Sequence, residues 1–273
     1  MKISVLAENT VVSPELSCEH GLSLFIETEQ RSILFDMGAS DIFCPNATVM
    51  GIDLSGAEFA VLSHGHFDHG GGLAALFACN EAAPVYVSAH AFGDYLVKKD
   101  GDEPVYIGLD SAFAASERIR YVGERLDLGR DCLLFSAVGD DHPRPSGNSR
   151  LFMRIGQDEL PDDFRHEQNL LLTANGKSVL FAGCAHSGIV NILAHCRRLS
   201  GAYPDVVIGG FHLIDRGSDA EALAELNALA QQLLQTGAMF YTCHCTGLPA
   251  YEYLRSIMGD RIGYLAAGAQ LAL

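Results

Sequence analysis

The chain has 273 residues, 48% hydrophobic and only 19% charged, with 18 Lys and Arg against 34 Asp and Glu for a net charge of -16. This composition excludes an intrinsically disordered chain, and the shortage of cations argues against a nucleic-acid groove, because that affinity rests on Lys and Arg neutralising phosphates. A chain of this length buries a sizeable core without metal or disulfide staples, so any metal site is free to be functional.

No window holds the roughly 18 consecutive apolar residues that a membrane helix needs, and the opening Met1-Lys2-Ile3-Ser4-Val5-Leu6-Ala7 meets Glu8 before a signal segment forms. The expectation is a cytoplasmic protein with a small-molecule substrate, no nucleic-acid partner and no membrane association. Nothing in the sequence specifies an oligomeric state. The eight cysteines are scattered and read as free thiols.

In chain order, short β-branched runs predict strands at Ile3 to Leu6, Leu22 to Ile26, Ser32 to Phe35, Phe59 to Leu62 and Val85 to Val87. Helical patterns are expected at Gly71 to Ala78 and at Phe92 to Lys98, then a strand at Leu133 to Val138. The Gly139 to Asn148 stretch is the least regular and reads as a surface excursion or a binding loop. Strands at Leu170 to Thr173 and Ser178 to Phe181 flank Asn175-Gly176, a hairpin signal. Helices at Gly188 to Leu199, Ala220 to Gln235 and Ala250 to Met258 alternate with strands at Val206 to Ile208 and Met239 to Tyr241. Ser218 and Glu221 give the second of these helices a capping-box pattern, Leu223, Leu226, Ala230 and Leu233 repeat at helical spacing, and Gly237 suits its stop. With no repeat or linker, the chain reads as a single domain over residues 1–273. Two β-then-α stretches with hairpins inside each half predict an α/β fold, a four-layer α/β/β/α sandwich; a doubly wound parallel sheet is the competing architecture.

The most informative segment is Ser63-His64-Gly65-His66-Phe67-Asp68-His69-Gly70-Gly71-Gly72, three imidazoles and a carboxylate crowded at the end of an apolar strand. A His-rich surface turn is the bland reading. Against it, His64 and His66, two apart on an extended segment, can share one metal, while Asp68 and His69 past the turn can face a second. One loop is an incomplete ligand set, so further donors belong at later strand ends. Gly183-Cys184-Ala185-His186-Ser187-Gly188 runs from a strand into a helix N-terminus and offers His186 or Cys184. Cys243-His244-Cys245 offers His244, with Cys243 and Cys245 on the opposite pleat face and read as packing thiols. His212, one imidazole in the apolar Gly209-Gly210-Phe211-His212-Leu213, is either a contact beside the site or a core histidine. His166 and Glu167 are weaker candidates, and His20, His90, His142 and His195 read as background.

The His-x-His-x-Asp-His string resembles the metallo-β-lactamase superfamily. With Ala7-Glu8-Asn9-Thr10, His20-Gly21-Leu22, Phe35-Asp36-Met37-Gly38, Gly183-Cys184-Ala185-His186, Gly209-Gly210-Phe211-His212 and His244-Cys245-Thr246-Gly247, the chain is similar to its dihydropteroate-synthase-like branch. That branch includes an archaeal 7,8-dihydropterin-6-methyl-4-(β-D-ribofuranosyl)aminobenzene-5'-phosphate synthase. The resemblance implies the metallo-β-lactamase sandwich with one or two divalent ions at the sheet edges, zinc first, with iron or manganese also suited. It implies His64, His66 and His186 on the first ion, Asp68, His69 and His244 on the second, and Asp68 and His212 as the catalytic candidates. Asp36 would support a ligand. Many relatives in the superfamily carry Gly-Asp where this chain has Gly183-Cys184, so Cys184 either bridges the ions or is inert.

Such a centre implies hydrolysis of a small, phosphorylated or cyclic ester by a metal-activated water. A pterin-condensing synthase and a non-catalytic metal- or ligand-binding module are the alternatives. Arg144 is the candidate phosphate contact.

Overall fold

The computed structural model describes residues 1–98, 103–129, 131–214 and 219–273. Among these, two seven-stranded sheets dominate. The first runs, edge to edge, Gln270–Ala272, Lys2–Ala7, Ser23–Glu27, Ser32–Phe35, Phe59–Val61, Val85–Ser88 and Ile119–Val122. The second runs Ile262–Tyr264, Met239–Thr242, Val206–Gly209, Lys177–Phe181, Asn169–Ala174, Cys132–Phe135 and Arg125–Asp127. In each, antiparallel pairing at one side gives way to four parallel strands at the other. Both sheets are therefore mixed, and the doubly wound alternative falls.

The layers follow from the two-residue period of the strands. Leu24 and Ile26, Ile33 and Phe35, Leu170 and Leu172, and Val179 and Phe181 form one apolar cluster between the sheets. Their neighbours face outward. Phe25 and Leu34 pack with Phe43, Ala47, Leu73 and Leu76 of the helices Phe43–Val49 and Leu73–Cys79. Leu171 and Leu180 pack with the helices Ile189–Ser200, Ala220–Thr236 and Leu248–Met258. Helix, sheet, sheet, helix is the predicted four-layer order. No described helix is long and apolar enough to cross a membrane.

Two local expectations change, and one helix forms that the sequence pattern did not predict. The predicted helix at Phe92 to Lys98 is a strand, Asp94–Val97, in a separate four-stranded sheet with Val105–Tyr106, Leu151–Ile155 and Asp158–Pro161. The three aromatic and apolar residues Tyr95-Leu96-Val97 carry no period that separates the two states, and cross-strand partners decided it. The helix Phe43–Val49, with Pro45 and β-branched residues, has poor propensity. It forms because Phe43 and Ala47 are buried one turn apart and Asn46 Nδ2 donates to Leu6 O at 2.7 Å. The capping-box residue Ser218 lies outside the described residues; Asp219 caps the helix instead, its carboxylate accepting from Ala222 N at 2.9 Å.

Asn175 and Gly176 both adopt left-handed φ, 53° and 75°, as the two-residue turn between Asn169–Ala174 and Lys177–Phe181 requires. No atom lies within 4 Å of a Cβ built on Gly176. Gly176→Ala is expected to cost about 1 kcal/mol through backbone strain alone, lowering the denaturant midpoint without changing metal content. A loss of metal on that change would mean that the turn is coupled to the site.

Candidate metal centre

The site lies where the parallel strands of both sheets end at their C-termini, the edge at which open α/β sheets gather ligands. Asp36 follows Ser32–Phe35, and Ser63 to His69 follow Phe59–Val61. Cys184 and His186 follow Lys177–Phe181, His212 follows Val206–Gly209, and His244 follows Met239–Thr242. Four non-glycine residues at these exits, Asp36, Ala185, His212 and His244, have φ of 59°, 54°, 50° and 50°. Each such conformation costs of order 1–3 kcal/mol and persists only where the surroundings over-determine it.

The donor atoms fall into overlapping groups, each with all its atoms within 4.8 Å of one another. His64, His66 and His186 form one; His20, Asp68 and His244 form another. Cys184 joins His64 with His69, His186 with His212, and His244 with Cys245. His69 Nε2 lies 3.2 Å from both Cys184 Sγ and His244 Nε2, and Asp68 Oδ2 lies 3.3 Å from His244 Nε2 and 3.9 Å from His69 Nε2.

Four of the imidazoles have their Nδ1 fixed from behind. His69 Nδ1 donates to Asp36 Oδ2 at 2.6 Å, His244 Nδ1 to Asn9 Oδ1 at 2.7 Å and His186 Nδ1 to Asn148 Oδ1 at 3.0 Å. Ser63 Oγ spends its hydrogen on Asp36 Oδ2 at 2.7 Å, so it accepts from His64 Nδ1 at 2.9 Å. In each ring a proton sits on Nδ1 and Nε2 is the atom turned toward the cavity, with a free lone pair wherever the ring is neutral. The Nε2 atoms of His64, His66 and His186 are buried and have no hydrogen-bond partner. A buried polar atom left unpaired costs about 1–3 kcal/mol; three converging ones are a poor way to pack a core and a good way to hold a cation.

The electrostatics agree. Burial, reinforced by neighbouring imidazoles, holds His64 and His186 well below the usual histidine range, and burial lowers His66 to about 4, so all three are neutral at pH 7. Burial opposes charge on His69 as well, but the Asp36 and Asp68 carboxylates outweigh it and push the ring up to about 9. Asp68, despite its burial, is held well below the carboxylate range by His69, His20 and His244.

His64, His66, Asp68, His69, His186, His244 and Cys184 are thus all brought together, and His212 joins them, its ring 4.3 Å from that of His186. Asp36 stands behind His69. His166 does not face the cavity as a donor: its Nδ1 accepts from Gly65 N at 2.9 Å and its Nε2 donates to Asp162 Oδ2 at 3.0 Å, which pins the His64–His66 turn. Glu167 accepts from His186 N and Ser187 N. Arg144 is not placed for phosphate; it pairs with Asp140 at 2.6 Å and donates to Asp163 O at 3.0 Å.

Several residues escaped the sequence reading. His20, read as background, lies 3.3 Å from Asp68 Oδ2. Asn148, inside the irregular loop, orients His186. Glu8 accepts from His244 N at 2.6 Å across 236 residues of sequence. Strand alternation would put Cys245 on the opposite pleat face, but the strand ends at Thr242 and His244–Thr246 is a 3-10 turn, so His244 and Cys245 both line the cavity. Glu8 and Asn9 stood in a quoted motif; a polar pair directly after an apolar strand was the signal available for them.

Residues 16–233 match the family described as the metallo-beta-lactamase superfamily. The chain belongs to the metallo-beta-lactamase superfamily. An uncharacterized protein of Methanocaldococcus jannaschii is 27% identical over 269 residues, covering 96% of this chain and 97% of that protein. The 7,8-dihydropterin-6-methyl-4-(beta-D-ribofuranosyl)-aminobenzene-5'-phosphate synthase of the same organism is 28% identical over 290 residues, covering 98% and 95%. A crystal structure described as a metal-dependent hydrolase of the beta-lactamase superfamily superposes with a TM-score of 0.84 at 26% identity, covering 100% of this chain and 99% of that one. The donor cluster of this metallo-beta-lactamase fold opens into a cavity of about 470 Å³ whose walls include Phe67, Val97, Ile107, Leu151 and Ile214.

Proposed function

We propose that this protein is a metal-dependent hydrolase of a small, phosphorylated or cyclic ester. The observation that carries this reading is the convergence of three buried, unpartnered imidazole nitrogens beside an ionised carboxylate. His64, His66 and His186 would hold one divalent ion, and Asp68, His69 and His244 a second, with zinc, iron and manganese all compatible with nitrogen and oxygen donors. When bound, such ions lower the pKa of water toward neutrality and stabilise developing negative charge on oxygen.

The chain's own residues do the rest. Asp36, Asn9, Asn148 and Ser63 hold the Nδ1 proton of the four fixed rings, so that Nε2 is the atom each ring presents to an ion. Asp68, ionised at neutral pH, accepts a hydrogen bond from an attacking water and orients it. His20, 54% exposed at the rim and paired with Asp68, links that carboxylate to solvent for proton release. His212 stands in the cavity wall where its ring can reach a substrate or a leaving-group oxygen. The apolar wall excludes bulk water from the reacting bond, and a cavity of this size suits a small molecule. Because the net charge is -16, an anionic substrate would be drawn by the metal site rather than by the overall field.

A pterin-related synthase is the second reading, favoured by the 28% identical relative alone. The deciding experiment is elemental analysis of chelator-free, untagged protein, followed by a phosphoester screen and a fluorescence titration with a dihydropterin. Bound metal with turnover of an ester supports the hydrolase. Saturable dihydropterin binding without ester turnover shifts the assignment to the synthase, and protein that takes up no metal after incubation with zinc, iron or manganese overturns both.

A further inference from the structure

The buried cysteines of this fold divide into two kinds. Cys196 belongs to the apolar cluster under the helices of the second sheet, and Cys132 and Cys243 belong to the cluster between the sheets. Cys184 and Cys245 are as deeply buried, 3% and 2% exposed, yet they are members of none of the three apolar clusters. They line the cavity beside five imidazoles and Asp68.

We propose that Cys184 and Cys245 are thiolate donors of this centre, so that its second cation position is a mixed nitrogen, oxygen and sulfur site that takes a thiophilic divalent ion. The inference rests on the reading that the centre holds metal, and adds to it which atoms bind. Cys184 Sγ lies 3.2 Å from His69 Nε2, and Cys184, His244 and Cys245 present their three donor atoms within 4.8 Å of one another. An ion about 2.3 Å from sulfur and about 2.0–2.1 Å from imidazole nitrogen spans tetrahedral donors roughly 3.4–3.8 Å apart. The cluster therefore needs only small side-chain adjustments to close on one ion.

The backbone aims Cys245 at this place. His212 N donates to Cys245 Sγ at 3.2 Å, and a Cβ on Gly210 would collide with that sulfur, so the Gly209-Gly210 strand exit is cut to admit it. Cys184 occupies the position after Gly183 from which its sulfur reaches both imidazole sets, His64 with His69 and His186 with His212. On binding, each thiol releases its proton to solvent as sulfur takes the metal. Thiolate donors favour zinc, ferrous iron and cobalt over magnesium, calcium and manganese.

Cobalt(II) loading of the full chain tests this without reference to activity, because thiolate coordination gives a near-ultraviolet sulfur-to-cobalt charge-transfer band. The expected result is cobalt bound by the wild-type chain with that band. Cys184→Ser and Cys245→Ser should each remove part of it, the double substitution all of it, and Cys18→Ser, at an exposed position, none. Cobalt bound with no sulfur band in the wild-type chain overturns thiolate donation and leaves metal binding standing. A band that vanishes in Cys184→Ser but is intact in Cys245→Ser overturns the role of Cys245. Failure of the wild-type chain to bind cobalt overturns this inference together with the metal reading.

Discussion

His66→Ala is expected to abolish ion binding at the first position and to cut turnover of any ester substrate by roughly 10³-fold or more, beyond the 10–100-fold typical of residues that only support a ligand. The fold should survive. His66 is 4% exposed and packs edge-on to His64 and Tyr95, with ring centroids 4.6 Å and 5.9 Å away, so its removal forfeits van der Waals contacts. It also removes a buried nitrogen that has no hydrogen-bond partner, and the two effects oppose each other. A net change within about 2 kcal/mol is expected by thermal or denaturant unfolding of the metal-free protein. The sharper readout is linkage: metal at a hundredfold excess over the Kd of the first position stabilises the wild-type chain by about 2.7 kcal/mol through that position, and this part of the gain should vanish in the variant. Unchanged metal content, or global unfolding, would show that His66 packs the core rather than holds an ion.

Asp36 should separate stability from coordination. Its buried carboxylate accepts from Ser63 N at 2.7 Å, Ser63 Oγ at 2.7 Å and His69 Nδ1 at 2.6 Å. Asp36→Ala strands all three donors where water does not reach, at a cost of roughly 3–5 kcal/mol. That is a fall in Tm of order 10 °C for a chain of this size. Asp36→Asn keeps the shape and tolerates the positive φ of 59°, but it can turn an amide N–H toward His69 Nδ1. His69 would then carry its proton on Nε2, the atom that faces Cys184 and His244, and ion binding at the second position should weaken about 10–100-fold while the first is spared. Competition titrations with a chelator of known affinity measure the two sites. Equal weakening of both would mean that Asp36 shapes the whole loop rather than one ligand.

Much of this molecule is legible in its amino-acid sequence. The strand runs are short, β-branched and bounded by glycine and asparagine, so ten of the fourteen strands in the two large sheets are legible to within a few residues, and Ile119–Val122, Arg125–Asp127, Ile262–Tyr264 and Gln270–Ala272 are not. The Asn175-Gly176 turn follows from the φ that only such residues adopt cheaply. The His-x-His-x-Asp-His loop was legible because crowded imidazoles at a strand end have few uses, and His186 and His244 because each follows an apolar strand at a glycine turn. The segment Asp94–Val97 was misread because a four-residue run has no diagnostic period, and its state was set by the hydrogen bonds of Leu151–Ile155 and Val105–Tyr106.

What the sequence by itself determined is what lies within one turn or one period: the elements, the layer each face serves, and the types of donor at the strand exits. What only the tertiary structure decided is which distant groups meet those donors. Glu8 and Asn9 reach His244 across more than 230 residues, Asn148 reaches His186, His20 reaches Asp68, and Cys245 turns into the cavity rather than the core. The reason is geometric: these contacts exist only once the N-terminal strand pairs into the first sheet, the two sheets stack, and their parallel strand ends converge on one edge.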